Sequence, residues 1–220
     1  MSRHRPAHSI KCLSLGLALS AQVLLIATHS LAEEANAHDK LKAGLLKIKT
    51  GTKKASYAQR TWEKKGDKET LIKADCYWMG QATIRMDITD GMGKGGVAIL
   101  KDGKVRAFLG GILSFAKLSY DPWDSTVVGI RGNGMTTSGF MDDLTLVLKS
   151  WDNSKVVFSG DKAVIDYTGP DKMPTKMWVK SDGSGIIKTE TYEKGQVVVR
   201  NEYSRVNLSA TFDEKQIFDP

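Results

Sequence analysis

The stretch ATIRMDITDGMGKGGVAILKDGKVRAFL, residues 82–109, decides how the rest of the chain is read. From Ala82 to Thr89 the residues alternate, with Ile84, Met86 and Ile88 on one side and Arg85 and Asp87 on the other. A period of two marks a strand with one face in a core. Asp90-Gly91 is a turn signal, and the run Met92 to Gly96 is glycine-rich. Val97 to Leu100 is apolar, and Asp102-Gly103 predicts a tight hairpin before Val105 to Leu109. Strands joined by hairpins make an antiparallel sheet.

The pattern extends both ways. Upstream, Ser56 to Lys64 (with Tyr57 and Trp62) and Glu69 to Met79 read as strands across Lys65-Gly66-Asp67, and Gly80 punctuates. Downstream, Lys155 to Ser159 and Ala163 to Thr168 flank Gly160-Asp161, and Met177 to Lys180 and Ile186 to Tyr192 flank Asp182 to Gly185. Gln196 to Arg205 follows Lys194-Gly195, and Val206 to Phe212 leads into a tail ending in Phe218. Two segments read as helices. Glu33 to Lys49 carries Leu41, Leu45 and Ile48 at steps of four and three, weakened by Gly44 and stopped at Gly51. Met141 to Trp151 places Leu144, Val147, Leu148 and Trp151 on one face. Asp142 and Asp143 fall in its first turn, where the helix dipole favours negative charge. The stretch Gly110 to Phe140 is too apolar for a solvated loop, and predicts short helix and irregular segments packed on the sheet. A strongly twisted antiparallel sheet curls, and only the two helical segments can cover its inner face. The fold expected is mainly β with α, a strongly curved antiparallel half-barrel under amphipathic helices. A closed calyx-type β-barrel is the alternative.

The first 32 residues read as an export signal: Arg3, Arg5 and Lys11, then an apolar run from Leu13 to Ala27, then Ser30-Leu31-Ala32. The run is short for a membrane span, which needs about 20 residues. Cleavage after about Ala32 leaves residues 33–220 as a single domain, long enough to bury its own core. The expected location is the periplasm. Removing three basic residues takes the formal charge from +7 to +4, which is no nucleic-acid signature.

Three of the four histidines (His4, His8, His29) leave with the leader, and His38 lies in a polar segment. Cys12 leaves too, so Cys76 has no disulfide partner in the mature chain and reads as a buried small apolar residue. A body without histidine and with one cysteine argues against zinc and against Ser-His or Cys-His catalysis. No cofactor or metal is expected, and the chain reads as a non-enzyme. Carboxylate chemistry is the rival, from Asp121, Asp124, Asp142 and Asp143, but Asp142-Asp143 reads as helix-start charge and Asp121-Pro122 as turn chemistry. The glycine-rich Gly91 to Gly96 lacks the Gly-Lys-Ser/Thr ending and the following helix of a phosphate loop.

The order of elements resembles the LolA/LolB-like family of bacterial envelope proteins over about residues 37–218. Local echoes are Leu41-Lys42-Ala43-Gly44-Leu45-Leu46, Ser56-Tyr57-Ala58-Gln59, Asp102-Gly103, Trp178-Val179, and the spacing of Tyr203 and Asn207 before Phe212. The resemblance implies a half-open barrel with a helical lid over an apolar cavity, and binding of a lipid or a lipoprotein acyl chain. It implies a carrier in envelope lipid or lipoprotein trafficking, with an envelope protein as acceptor.

A site of that kind needs a deep apolar wall and few polar groups. The candidates are Trp62, Trp78, Ile84, Met86, Ile88, Ile99, Phe108, Ile112, Leu113, Phe115, Phe140, Leu144, Leu148 and Trp178. Each competes with a plain core role. Lys40, Lys42, Lys47 and Lys49 would face an anionic membrane surface, against the alternative of a solvated helix face. Arg85 and Arg131 would pair with a head group or form structural ion pairs. The competing function is a non-lipid envelope binder, of polysaccharide or a protein partner, working through an outer face with exposed aromatics such as Tyr57 or Trp123. The direction in which the tryptophans point separates the two.

Overall fold

A computed structural model of the chain describes residues 35–80, 83–108, 117–137, 139–169 and 171–219. The segment expected to be an export signal, and the candidates Ile112, Leu113 and Phe115, lie outside them. Helix α1 covers residues 35–51. Strands β1 (Lys54–Lys65), β2 (Lys68–Met79), β3 (Ile84–Gly91), β4 (Val97–Lys101), β5 (Lys104–Phe108) and β6 (Lys117–Tyr120) follow. Helix α2 (Phe140–Lys149) and a 3-10 turn (Trp151–Asn153) lead to β7 (Lys155–Ser159), β8 (Lys162–Thr168), β9 (Pro174–Lys180), β10 (Ile186–Glu193) and β11 (Gln196–Asn207), and α3 (Glu214–Phe218) closes the chain.

The strands form one antiparallel sheet in the order β6-β5-β4-β3-β2-β1-β11-β10-β9-β8-β7. Hairpins explain this order, except that β1 pairs with β11. Strands β6 and β7 are the two edges. The chain between them does not make a hairpin: it carries α2. The sheet is therefore a curved half-barrel, and the closed calyx does not form. Register breaks at Ser56/Ala58, Lys73/Ala74, Thr191/Tyr192 and Ile186/Lys188 are bulges, which bend and twist long strands.

One end of the sheet's inner face is solid. Ala55, Tyr57, Cys76, Trp78, Ile84, Leu100 and Val105 meet Ala163, Ile165, Met177, Val179 and Ile186 in a single core. Leu41 and Leu45 of α1, and Phe140, Leu144 and Val147 of α2, complete it with no exposed surface. Phe140 sits between two tyrosines, 5.6 Å from Tyr57 and 5.4 Å from Tyr203 by ring centroids. Gly44, which weakens α1 on propensity, is where the helix meets the β9–β10 turn. A Cβ there would strike the Asp182 carbonyl, and one on Gly183 would lie 2.6 Å from the Leu41 carbonyl oxygen. Close approach is what the glycine provides.

Two elements differ from the sequence reading. Lys117–Tyr120 is an edge strand paired with β5, inside a stretch expected to be helical or irregular. Its four residues are too few to show a period, and the partner supplies the order. Helix α3 lies in what reads as a tail. Asp213 caps it, accepting from the backbone N–H of Lys215 and Gln216. It covers the outer face: Phe212 stands edge-on to Tyr77 and Phe218, Arg85 donates to the Ile217 carbonyl at 2.9 Å, and Lys101 pairs with Asp219 at 2.7 Å.

Candidate functional site

At the other end of the same strands the inner face is not filled. The hairpin loops 66–67, 92–96 and 194–195 gather there, and residues 121–137 form an irregular cover. Among the described residues the hollows at this end include one of about 790 Å³ and one of about 250 Å³ on the inner face.

The larger is polar. The inward set of β1 begins with Ala55 and Tyr57 and continues at the same period with Gln59, Thr61 and Glu63. Thr61 is opposite Asn201, and Thr189 opposite both Asn201 and Met177. These groups form a chain of hydrogen bonds. The Gln59 amide donates to Thr61 Oγ1 (2.9 Å), the Thr61 hydroxyl to Asn201 Oδ1 (2.9 Å), and the Asn201 amide to Thr189 Oγ1 (3.5 Å). The Thr189 and Tyr203 hydroxyls both donate to Asp143 Oδ2, at 2.8 and 2.7 Å. Asp143 is thus a buried anchor tying α2 to β10 and β11, which helix-start charge alone does not describe. Burial pushes its carboxyl pKa up, and hydrogen bonds from Tyr203, Thr189 and Asn201 pull it back. Beside it, burial and then the neighbouring Asp143 raise Asp142 to about 7.

Glu63 is the second buried acid. Its carboxylate accepts from the Asn133 amide at 2.8 Å and from the Arg131 N–H at 3.4 Å, and lies directly on Gly129. A side chain at 129 would displace it. Arg131 donates to the Lys64 carbonyl and to Glu193, each at 2.8 Å, so it is a structural tie. Glu63 and its loop form the wall between the hollows: Thr61, Glu63 and Asn133 line both.

The smaller hollow is apolar. Ile72, Met86, Ile88 and Ala98 of the sheet face Val127, Val128 and Met135 of the cover, and Phe108, in register with Val97 and the outward Asp87, borders the hollow at the end of β5. Met92, at 49% exposure, lies at its rim, and Trp123, at 58%, at the rim of the polar cavity.

The fourteen candidates separate accordingly. Met86, Ile88 and Phe108 line the apolar hollow. Trp78, Ile84, Phe140 and Leu144 are inside but sealed in the core, and Leu148 packs on it partly buried. Trp62, Ile99 and Trp178 are on the outer face. Trp62 alternates with the inward Thr61 and Glu63 and donates to Glu69; Lys188 stands 3.8 Å over the Trp178 ring; Ile99 pairs in register with the outward Arg85. Tyr57, expected among the exposed aromatics, is buried against Phe140. Lys42 is paired with Asp152 and Lys49 donates to Thr145. Asp121 and Asp124 accept from the backbone N–H of Trp123 and Thr126, as turn residues do. Burial raises the Cys76 thiol pKa, which keeps it an unreactive core group.

The polar set escapes the sequence reading, although a signal for it exists. Counting β1 by twos from Ala55 puts Gln59, Thr61 and Glu63 on the inner face. An expectation of apolar residues throughout that face hides them.

No family model matches the sequence, and no curated protein does. Solved structures resemble it in fold. An uncharacterized conserved protein from Thermus thermophilus has 10% identity and a TM-score of 0.46, over 84% of this chain and 92% of its own. A LolA superfamily protein from Nitrosomonas europaea has 12% identity and a TM-score of 0.39, over 84% and 96%. The Mycobacterium tuberculosis lipoprotein LppX has 12% identity and a TM-score of 0.41, over 81% and 99%. The likeness is one of chain trace alone.

Proposed function

We propose that this is an exported, non-enzymatic binding protein of the bacterial envelope. It holds a lipid or lipoprotein acyl chain on the inner face of the half-barrel, and passes it on in envelope trafficking. The observation that carries this is the apolar hollow of about 250 Å³ between β2–β5 and residues 127–135. An unfilled apolar space lined by Ile, Met, Phe and Val gains from an alkyl chain about 0.8 kcal/mol for each CH₂ taken from water. The methionines at its wall, Met86 and Met135, reshape readily around a guest. At about 250 Å³ the hollow is just below the usual range of ligand sites, about 300–1,000 Å³, so it takes one chain and leaves the rest of the ligand elsewhere.

Release needs no nucleotide: a tighter acceptor, or displacement of the 129–135 cover, shifts the equilibrium. Native mass spectrometry of protein purified from an envelope fraction tests the reading. An extractable adduct of lipid mass supports it. A ligand-free protein that also fails to take up a dodecyl-chain amphiphile after purification overturns it.

A further inference from the structure

We infer that the polar cavity is a head-group site for an uncharged, hydroxyl-rich unit, sugar-like in chemistry, carried by the lipid whose chain occupies the apolar hollow. This rests on the acyl-chain reading above. The first argument is size. At about 790 Å³ the cavity falls inside the range of small-molecule sites and is about three times the volume of its apolar neighbour.

The second is the chemistry of the wall. Thr61, Thr175, Thr189, Thr191, Asn133 and Asn201 all line it. Hydroxyls and amides both donate and accept, as each hydroxyl of a sugar does. Of these, the Thr175 and Thr191 hydroxyls stand 3.4 Å apart on neighbouring strands. The Thr136 hydroxyl on the same cavity is buried, with no partner among the described residues.

The third is charge. Five carboxyl groups line the cavity (Glu63, Asp142, Asp143, Asp171 and Glu193) against Lys65, Arg131 and Lys149. Arg131 is already engaged with Lys64 and Glu193. Burial holds Asp142 and Asp143 toward their neutral forms, which leaves Glu63, Asp171 and Glu193 against three bases, so a phosphate or carboxylate head meets a wall with no excess of positive charge. A bare ammonium fares little better, because Glu63, Asp143 and Glu193 already accept from Asn133, from Thr189 and Tyr203, and from Arg131.

The fourth is connection. The two hollows share the Thr61–Glu63–Asn133 wall and reach the same loop end, with Gly66 and Glu193 at one and Met92 and Gly93 at the other. One molecule entering there lies astride the wall, chain on one side and head on the other. Trp123, exposed at the polar rim, offers a ring face to a sugar.

The test holds the chain constant and varies the head. Binding of n-dodecyl-β-D-maltoside, dodecylphosphocholine and dodecanoate is measured by calorimetry below their micelle concentrations. The maltoside is expected to bind at least about tenfold tighter than the other two. In the double variant Thr175→Val, Thr191→Val, which removes two facing hydroxyls with little change of volume, that advantage falls toward unity while dodecylphosphocholine affinity stays put. Equal affinities on the unmodified protein, or a preference for dodecanoate, overturn the head-group assignment and leave the chain site standing. Failure of all three to bind overturns the chain site as well.

Discussion

The two ends of the sheet are made from the same strands and covered by the same chain, yet one is solid and the other hollow. At the solid end, regular helices meet regular strands. Leu41, Leu45, Leu144 and Val147 recur at helical spacing and fill the grooves over Ile165, Met177 and Val179. At the hollow end the cover is the irregular stretch 121–137, with Gly129, Gly132, Gly134 and Asn133 where bulky side chains would be needed to close the space. Side-chain volume and regular spacing seal a core; their local absence, fixed in place by a buried Glu63, keeps a site open. A sheet that must be both stable and receptive can divide the two tasks along its strands.

The contrast is most exposed to truncation. Leu144→Ala removes a fully buried side chain at the solid end and should cost about 2–5 kcal/mol in denaturant unfolding. Met86→Ala at the hollow end should cost under about 1.5 kcal/mol, because the space beside it is already empty. Equal losses would erase the distinction between the ends.

Gly129→Ala puts a methyl group into the Glu63 carboxylate. It should destabilise by about 1–3 kcal/mol and free the wall between the hollows. Faster hydrogen exchange confined to residues 129–135 is the expected signature; an unchanged stability and exchange pattern would show that the wall is not held there.

The acidic pair at the start of α2 supplies a pH test. A carboxyl raised to about 7 keeps its proton in the folded protein where the unfolded chain, with a value near 3.9, has lost it. The folded state then binds more protons, so the Asp142 contribution is complete below about pH 4 and declines as pH rises toward 7. Asp142→Asn should raise Tm relative to the parent at pH 8, with the difference shrinking toward pH 4. A difference that is constant with pH would place Asp142 in water.

The smallest effect is on stability and the most telling on binding. Ile88→Trp adds bulk to the apolar hollow and should shift unfolding by less than about 1 kcal/mol, since it fills space and displaces no neighbour. Dodecyl-chain binding should be lost with it. Retained binding would move the chain site elsewhere.

Much of the fold is legible in the amino-acid order. The period-two run of β3, the Asp102-Gly103 hairpin and the amphipathic stripes of α1 and α2 each report a local rule, and they survive folding because the tertiary contacts agree with them. The candidate site is less legible. Met86 and Ile88 stand where strand alternation puts them, but Trp62 and Trp178 qualify only by their size and lie outside. Aromatic bulk says that a residue is buried somewhere, whereas strand parity says on which face. Lys117–Tyr120 and α3 stay hidden because four or five residues carry too little pattern to stand against their surroundings.

The amino-acid order by itself determined the strands, their hairpins and the two covering helices, since these depend on spacing and turn chemistry within a few residues. Only the tertiary structure decided which end of the sheet stays open and what lines it. The wall of Glu63, Asn133 and Gly129 joins residues about seventy positions apart, and the polar chain from Gln59 to Asp143 crosses three strands and a helix. A cavity is a property of surfaces that meet from distant parts of the chain, and no local period reports the space left between them.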